Sequence, residues 1–489
     1  MRRIFYLFLT LFLLLNGSVF SNNHCTTIQD RPIKAVFVGA SITYGYGVTN
    51  REKEAYPAQL RKLLGKNYHV DNFGVSGCTM LRKGNLPYWN TNEFQLALKD
   101  QPDIVFIDLG GNDSKLINRE HMDDFEHDCH DMVQLFMQLP THPRVILLLP
   151  VVSFVDDTTG IWDPEIVRSI IPHIQNVAYQ DSVELIDVHP LLINKPDLLP
   201  DKIHPNTQGS AIIAQNLYGY LTQQRDIDFN IFNNLHQAIT ISSFYGYRCA
   251  DFPFDGRSCK VVQPKISAKG HPWIWRARFW GNESQTDIAL LQRGFHVVYC
   301  DVAELFGNDE AISHWNHFYN ILHAAGLSDK AAMEGMSRGA VYVYNWAAVN
   351  PDKVACTYVD NPLLDMKSWP CGLGKLPPGK SEFEDFKADY HVTNQEQLVN
   401  FKGSPIDKVD QIVKGKYPML ILCADADEAA LPDENTLPFE KKVRALNGNI
   451  MVIHKPGFKH HPHSFPNPTP IVDFILKATG YYIPVDNNH

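Results

Sequence analysis

The sequence predicts an α/β protein of two domains, each built on a parallel sheet with helices on both faces. Strand-like and helix-like runs alternate along nearly the whole chain, which favours parallel sheets. The 489 residues exceed what one hydrophobic core usually supports. A hydrophobic content of 44% and a charged content of 20% are typical of globular proteins. The predicted segments are a leader over 1–21, a first domain over 30–225, a linker over 226–245 and a second domain over 246–485.

The first residues predict a secretory signal peptide. Two arginines precede an apolar run from Ile4 to Leu15, which is too short to span a bilayer. We expect cleavage near Ser21 and a secreted or periplasmic location. Cys25 lacks the small, apolar approach of a lipid-anchor site, so no lipid anchor is expected. No later segment is long and apolar enough to predict a membrane span.

The charge of the chain argues against a nucleic-acid partner, and the spacing of its cysteines and histidines argues against a zinc site. A formal net charge of −10 without any basic run argues against nucleic acid. No group of Cys and His residues has zinc-site spacing, and a helix face with His127, Asp128 and His130 is interpreted as solvated. No metal or cofactor is therefore expected. Of the nine cysteines, Cys249 and Cys259 flank a turn-rich stretch and are predicted to form a disulfide.

The first domain is predicted from short apolar runs separated by amphipathic ones. The predicted strands cover 33–38, 69–73, 104–109, 144–149 and 182–186. The predicted helices cover 56–64, 122–139 and 164–178. Reactive groups of such sheets collect beyond the carboxyl ends of the strands. Ser41, Gly77 and Asn112 each follow a predicted strand, so we expect them at one edge of the sheet.

These residues match the needs of acyl transfer, which uses a nucleophile, a base, a group that orients the base and donors for the oxyanion. Ser41 is the predicted nucleophile and His204 the predicted base. Asp201, three residues earlier, would orient the imidazole. The oxyanion would be bound by the backbone N–H groups of Ser41 and Gly77 and by the amide of Asn112.

The four sequence blocks that carry these residues, at 39–43, 72–77, 110–113 and 201–204, resemble those of the SGNH (GDSL-like) hydrolases. The residues in and around these blocks are similar to those of the bacterial carbohydrate-esterase branch of that family. Ala40 departs from the family, which often has Asp there, but that position is not a catalytic one. The resemblance implies a flavodoxin-like sheet and hydrolysis of an acetyl ester.

The second domain again alternates strands and helices. Its predicted strands cover 258–262, 273–279, 296–302, 330–334, 355–359, 417–424 and 448–453. Its predicted helices cover 315–325, 338–349 and 440–446. The stretch over 360–408 lacks a regular period and is interpreted as a lid or pocket-forming insertion.

Ser337 lies in a Gly335-Met-Ser-Arg-Gly339 motif between a predicted strand and a predicted helix, the setting of a nucleophile elbow. Asp427 follows a buried strand and His460 follows the next strand. Nucleophile, acid and base in this order resemble the α/β-hydrolase superfamily, and the resemblance implies these three roles. Asp425 competes with Asp427 for the role of the acid. The other candidates for the base are His461 and His463.

The remaining site predictions concern oxyanion and substrate contacts of the second domain. The backbone N–H of Arg338 is one expected oxyanion donor, and a backbone N–H from the loop over 271–276 is the other. Trp275, Arg276 and Arg338 are predicted to bind substrate, either by stacking on a sugar or by meeting a carboxylate. Packing in the core or pairing with an internal acid is the alternative for each.

The leading hypothesis is an exported carbohydrate esterase with two catalytic domains that act on an acylated polysaccharide or oligosaccharide. The first would remove acetyl groups, and the second acetyl, methyl or feruloyl esters. One alternative is a single active esterase with a catalytically silent α/β-hydrolase partner domain. Another is a glycan-binding protein with vestigial hydrolase folds.

Overall fold

The fold is described from a computed structural model, which covers residues 31–485. The predicted leader, its cleavage near Ser21 and the expectation for Cys25 lie outside the described residues. Within residues 31–485, no helix has the length and apolar character needed to cross a membrane.

The first domain is a five-stranded parallel sheet in the order β2-β1-β3-β4-β5. Its strands are β1 Ile33–Gly39, β2 Tyr68–Gly74, β3 Ile104–Asp108, β4 Arg144–Leu149 and β5 Glu184–Asp187. Successive side chains of a strand point to opposite faces, so Val36 and Val38 enter one core while Ala35 and Phe37 enter another. Both faces of the sheet are therefore covered, as parallel sheets require.

Helices provide that cover. They are α1 Ser41–Tyr44, α2 Arg51–Glu54, α3 Tyr56–Leu64, α4 Asn92–Lys99, α5 Leu116–Arg119, α6 Phe125–Met137, α7 Asp163–Glu165, α8 Ile171–Gln180 and α9 Thr207–Thr222. A π-helical segment, Ile166–Ile170, joins α7 to α8. Helix α1 begins at Ser41, directly beyond the carboxyl end of β1.

The second domain is a nine-stranded mixed sheet in the order β16-β15-β14-β13-β11-β12-β9-β8-β7. The strands from Arg225 onward are β6 Arg225–Asp226, β7 Thr240–Phe244, β8 Tyr247–Phe254, β9 Arg257–Val262, β10 Ser267–Ala268, β11 Trp273–Ala277, β12 His296–Cys300, β13 Ala331–Met336, β14 Val354–Asp360, β15 Met419–Ala424 and β16 Ile450–Lys455. Strands β7, β8 and β9 form an antiparallel edge, whereas the strands from β12 to β16 pair in parallel.

Eight helices flank this sheet within the described residues. They are α10 Gln285–Gln292, α11 Asp309–Ala324, α12 Gly339–Val349, α13 Ser381–Asp389, α14 Gln395–Val399, α15 Val409–Ile412, α16 Thr436–Ala445 and α17 Thr469–Thr479. Helix α12 is buried along nearly its whole length, because it is apolar all round and lies between the sheet and other helices.

Two of the sequence expectations for this region are wrong. The stretch over 226–245 is not an independent linker, because it buries Ile231 and Phe232 and contributes β7 to the sheet. Cys249 and Cys259 are free thiols. In the β8–β9 register, Cys249 faces Val262 while Cys259 faces Phe252, so the two thiols are not opposite each other.

The predicted solvated helix face lies on α6. His130 contacts Asp181 at 2.8 Å, whereas Asp128 accepts a hydrogen bond from the backbone of Arg82. His127 is exposed. Asp128 is buried, so only part of this face is solvated, and His127 Nδ1 lies 3.7 Å from Asp128 Oδ1.

The two domains pack directly on each other beside β5. The hydroxyl of Tyr247, at the start of β8, donates to the carbonyl of Leu185 at 3.3 Å. Further along the chain, Asn467 Nδ2 donates to the carbonyl of Leu191 at 3.0 Å, and both bonds are buried. Strand β6, which follows the first domain, also pairs with β10 of the second domain.

Candidate active sites

The first site forms where β1 ends. Ser41 is largely buried, and its Oγ lies 2.8 Å from His204 Nε2. His204 comes from the loop before α9, and its ring packs against Tyr46 with centroids 4.5 Å apart. The serine and histidine, separated by 163 residues in sequence, are thus within hydrogen-bond distance.

Asp201 fixes the histidine in the orientation that a base requires. Its carboxylate lies 2.6 Å from His204 Nδ1 and also accepts the backbone N–H of His204 at 2.7 Å. Because a carboxylate only accepts, Nδ1 carries the proton and Nε2 is free to accept from Ser41. Partial burial raises the pKa of Asp201, but the hydrogen bonds from His204 and Ile203 outweigh it, so the pKa lies below its usual value.

Two backbone N–H groups and one amide are available near Ser41. Within residues 31–485, the N–H groups of Ser41 and Gly77 donate to no protein acceptor. Asn112 is buried and uses one amide hydrogen on the carbonyl of Cys78 at 3.1 Å, which leaves the other unused. Gly77 has φ +84°, a conformation that favours glycine.

A buried carboxylate that sequence reasoning did not single out holds this region together. Asp113 accepts the backbone N–H groups of Met80 at 3.1 Å and Leu81 at 2.8 Å, so it ties the loop after Gly77 to the end of β3. Burial raises the pKa of Asp113 to about 6, against the opposing effect of these hydrogen bonds.

A narrow cavity of about 30 Å³ opens beside the serine. Ser41 and Asn112 line it together with the apolar side chains of Val151, Val152 and Ile161. The space directly beside the serine is therefore small and walled mainly by apolar side chains.

The second site forms at a tight turn between β13 and α12. Ser337 has φ +49°, a strained conformation for a residue with a side chain. A Cβ on Gly339 would approach the carbonyl oxygen of Ala277 to 2.6 Å, and one on Gly335 would lie 2.7 Å from the backbone of Gly339. The flanking glycines therefore allow the turn that lifts Ser337 above the sheet.

His460 joins Ser337 to Asp427. His460 Nε2 lies 2.9 Å from Ser337 Oγ, and its Nδ1 lies 2.9 Å from Asp427 Oδ2. Asp427 is buried and accepts the backbone N–H groups of Ala429 and Ala430 at 2.8 and 2.9 Å, which fixes its carboxylate.

The alternatives left open by the sequence lie elsewhere. Asp425 is exposed and pairs with His454 at 2.6 Å. His461 is exposed, and His463 is buried with its Nδ1 3.6 Å from Asp360. The structure brings neither Asp425 nor these two histidines into hydrogen-bond contact with Ser337.

The substrate-binding predictions for Trp275 and Arg276 are wrong. Trp275 is fully buried and packs against Trp315 and Trp346, with ring centroids 4.4 and 5.3 Å apart. Arg276 is 1% exposed and pairs with Asp287 at 2.5 Å. Strand β11 is central to the sheet, so its alternating side chains all enter the core.

The expected position of the second oxyanion donor also needs correction. Residues 271–272 precede β11, at the end of the strand opposite the site. The turn after β11 lies at the site instead, where Arg278 and Phe279 have φ +65° and +50° and Phe279 lines the cavity. The buried guanidinium of Arg276 donates to the carbonyl of Phe279 at 3.1 and 3.2 Å, so Arg276 holds this turn.

The second cavity is far larger than the first, at about 780 Å³. Its lining includes Ser337, His460, Phe279 and, from the predicted insertion, Leu363 and Trp369. The insertion thus contributes to the pocket.

Arg338 is the one predicted substrate contact that lies in this cavity. Its guanidinium sits 5.5 and 5.6 Å from the ring centroids of Phe306 and Trp369. Burial and the neighbouring Arg278 lower the pKa of Arg338. Within residues 31–485, its side chain makes no ion pair.

A buried ion pair absent from the sequence predictions connects the parts of this site. Lys455 Nζ lies 2.7 Å from Asp360 Oδ1. The two residues are 95 positions apart, and neither belongs to a motif that would have marked it. Asp360 also accepts the backbone N–H of Ser464, while its carbonyl accepts the N–H of Ser337 at 2.9 Å.

Comparison with known proteins identifies the class of the first domain. Residues 37–212 match the GDSL-like Lipase/Acylhydrolase family. This part of the chain is therefore a GDSL/SGNH lipase-acylhydrolase domain, a class of carboxylic ester hydrolase.

A curated acetylxylan esterase from Xylanibacter ruminicola is 37% identical over 205 residues, which cover 38% of this chain and 42% of the relative. The match thus spans about two-fifths of the relative's length. A solved carbohydrate acetylesterase family member from Sinorhizobium meliloti is 17% identical, with a TM-score of 0.33, and the match covers 39% of this chain and 97% of that one. For a putative dipeptidyl aminopeptidase IV from Bacteroides ovatus, the identity is 15%, the TM-score 0.37 and the coverage 51% and 36%.

Proposed function

We propose that this protein is an exported carbohydrate esterase with two serine active sites, the first of which removes acetyl groups from a polysaccharide such as xylan. The observation that carries the proposal is the 2.8 Å contact between Ser41 Oγ and His204 Nε2, beside the amide of Asn112. The acetylxylan esterase relative supports the substrate class. The apolar leader sequence supports export.

The reaction at the first site follows from the geometry. His204 Nε2 takes the proton of Ser41 Oγ as the oxygen attacks the ester carbonyl, and Asp201 stabilises the imidazolium that forms. The oxyanion is met by the N–H groups of Ser41 and Gly77 and by Asn112 Nδ2. The bond from the carbonyl carbon to the sugar oxygen then breaks as the imidazolium of His204 gives its proton to that oxygen, which leaves as a hydroxyl. Water hydrolyses the acyl-serine by the same steps.

Size favours acetyl as the acyl group. The cavity of about 30 Å³ is walled by branched apolar side chains and leaves room for a methyl group beyond the carbonyl. A longer acyl chain would have to displace Val151 or Ile161. The sugar ring would stay outside, towards solvent.

The second site has the parts of an α/β-hydrolase: Ser337 as nucleophile, His460 as base and Asp427 as the orienting acid. The N–H of Arg338 and the turn over 278–279 are suited to bind its oxyanion. Its cavity of about 780 Å³ accepts a much larger ester, such as one with an aryl acid or with a sugar on either side.

Serine variants separate the two sites. We expect Ser41→Ala to abolish acetate release from acetylated xylan, and Ser337→Ala to abolish hydrolysis of larger esters, such as methyl ferulate. Ser328→Ala, in a loop away from both sites, is the matched control. A double variant that retains wild-type turnover of both substrates would contradict the proposal.

A second candidate is a single active esterase whose second domain is catalytically silent. It predicts that a fluorophosphonate labels Ser41 and leaves Ser337 unlabelled, and that Ser41→Ala removes all turnover. Labelling at both serines would exclude it. Tight polysaccharide binding without release of any acid would instead favour a binding protein with vestigial hydrolase folds.

A further inference from the structure

Three histidines converge at the second site, and only one of them is used by the chemistry proposed above. His460, His461 and His463 each place one ring nitrogen within 4.8 Å of the other two. Their ring centroids are 4.9, 5.0 and 4.8 Å apart, and their planes lie 84°, 81° and 78° from one another. The rings thus form a nearly equilateral, mutually perpendicular group on the wall of the large cavity.

The ring spacing is close to what a tetrahedral cation requires, and the three ring nitrogens, which lie within 4.8 Å of one another, would approach to about 3.3 Å around the ion. With Zn–N bonds of 2.0–2.1 Å, three imidazoles on a tetrahedral ion have ring centroids about 5 Å apart. Stacked or T-shaped packing for its own sake would not need three rings at one mutual spacing. The fourth coordination position would open into the cavity.

Two of the three imidazoles have no other hydrogen-bond partner. Among the residues that the structure describes, no ring nitrogen of His461 or His463 makes a hydrogen bond. His463 is 5% exposed, and a buried polar nitrogen without a partner has a free-energy cost unless a ligand satisfies it. Its Nδ1 lies 3.6 Å from Asp360, beyond hydrogen-bond distance.

Two acidic side chains of the cavity, Glu283 and Glu428, outnumber its one arginine, Arg338, and so favour a cation. Glu283 accepts the backbone N–H of His463 at 2.9 Å and lines the same cavity, and Asp427 lies behind His460.

We propose that His460, His461 and His463 form a binding site for a divalent cation that prefers imidazole nitrogen, with Zn²⁺ as the representative ion, and that its occupancy switches off the second active site. His460 Nε2 is the nitrogen that faces Ser337 Oγ at 2.9 Å. A cation on that nitrogen removes the proton acceptor of the serine. Binding is reversible and changes no covalent bond.

The binding part of this proposal is independent of the proposed function, whereas the inhibitory part rests on Ser337 being reactive. The test therefore measures both separately on the full chain. Zinc content after equilibrium dialysis, and the visible spectrum with Co²⁺ as a probe of tetrahedral nitrogen coordination, report binding. The rate of fluorophosphonate labelling at Ser337 in a Ser41→Ala background reports reactivity, each variant being compared with itself without metal.

The wild type should bind one Zn²⁺ more than His461→Ala or His463→Ala, and Zn²⁺ should slow labelling at Ser337. The zinc concentration for half-inhibition should rise at least about tenfold in His461→Ala, since one of three ligands is lost. His236→Ala, an exposed histidine elsewhere, should behave as the wild type. His454→Ala separates this site from the neighbouring group of Cys423, Asp425 and His454.

Equal zinc binding by wild type, His461→Ala and His463→Ala would overturn the site. Bound zinc that leaves labelling of Ser337 unchanged would overturn the inhibition while the site stands. Absence of labelling at Ser337 in the metal-free Ser41→Ala protein would instead count against the proposed function of the second domain, and the zinc stoichiometry would still decide the site. Circular dichroism of each variant establishes that it is folded.

Discussion

Lys455 and Asp360 form an ion pair at 2.7 Å with side chains only 1% and 0% exposed, at the carboxyl ends of β16 and β14, the two strands that flank β15. Through Asp360, this pair contacts both Ser337 and Ser464, so it joins the nucleophile turn to the loop that carries His460. A buried charge that loses its partner is costly, because water cannot replace the lost interaction.

Lys455→Met is expected to destabilise the protein by about 3–5 kcal/mol, as removal of one partner leaves Asp360 charged and buried. Thermal and chemical denaturation measure the effect. Lys459→Met, a surface lysine 3.7 Å from Glu428, should change stability by less than about 1 kcal/mol. Equal stability of the two variants would mean that the buried pair does not connect these segments.

Asp427→Asn should lower the rate of labelling at Ser337 by about 10⁴, because an amide can hold His460 in the wrong tautomer. The matched variant Asp425→Asn changes an exposed carboxylate that pairs with His454 and should stay within about twofold of the wild type. Similar losses in both variants would count against Asp427 as the acid.

Asn112→Ala should lower kcat for acetate release by about 10²–10³ with little change in KM, since the amide donates mainly to the oxyanion. Asn176→Ala, at a more exposed position in the first domain, should leave kcat unchanged. Because the amide of Asn112 also donates to the carbonyl of Cys78, the melting temperature of the Asn112→Ala protein has to be measured as well. A change confined to KM would exclude an oxyanion role.

The stability of the second domain should fall in acid because of His296. Burial lowers the pKa of His296 from 6.5 to about 3, so the unfolded chain binds a proton that the folded chain does not. Its stabilising contribution is full above pH 6.5 and is lost by about 1.4 kcal/mol per pH unit as the pH falls towards 3.

The pH profile of unfolding tests this prediction. His296→Gln should unfold with a shallower dependence on pH between 6.5 and 4.5 than the wild type, whatever its absolute stability. The exposed His236→Gln should keep the wild-type slope. An unchanged slope in His296→Gln would show that other groups govern acid unfolding.

Much of the architecture could be predicted because parallel strands buried on both faces leave continuous apolar runs, such as the one at β4. The antiparallel edge was harder to predict. Strand β7 alternates polar and apolar side chains weakly, since its outer face meets solvent, and therefore looked like a linker. The buried role of Trp275 was also hidden, because an aromatic residue near a motif gives no sign of which way its side chain points.

Parts of both sites were predictable because each lies within a short motif. Ser337, for example, requires glycines on both sides for steric reasons that are visible in the sequence. The Asp360–Lys455 pair could not be predicted, because its two charges come together only when two strands that are far apart in the sequence pack on either side of β15. The same is true of the turn over 278–279. It is held by Arg276, which the sequence predicted to bind substrate.

The junction beside β5 bears on how this chain can be divided. Tyr247 and Asn467 come from opposite ends of the second domain, and both donate to carbonyls of the first. If the two halves were produced separately, with the division anywhere between 222 and 240, these groups and the apolar surface around them would face water. We therefore expect each half to depend on the other for stability, so that a half without chemistry of its own would still support the fold of its neighbour.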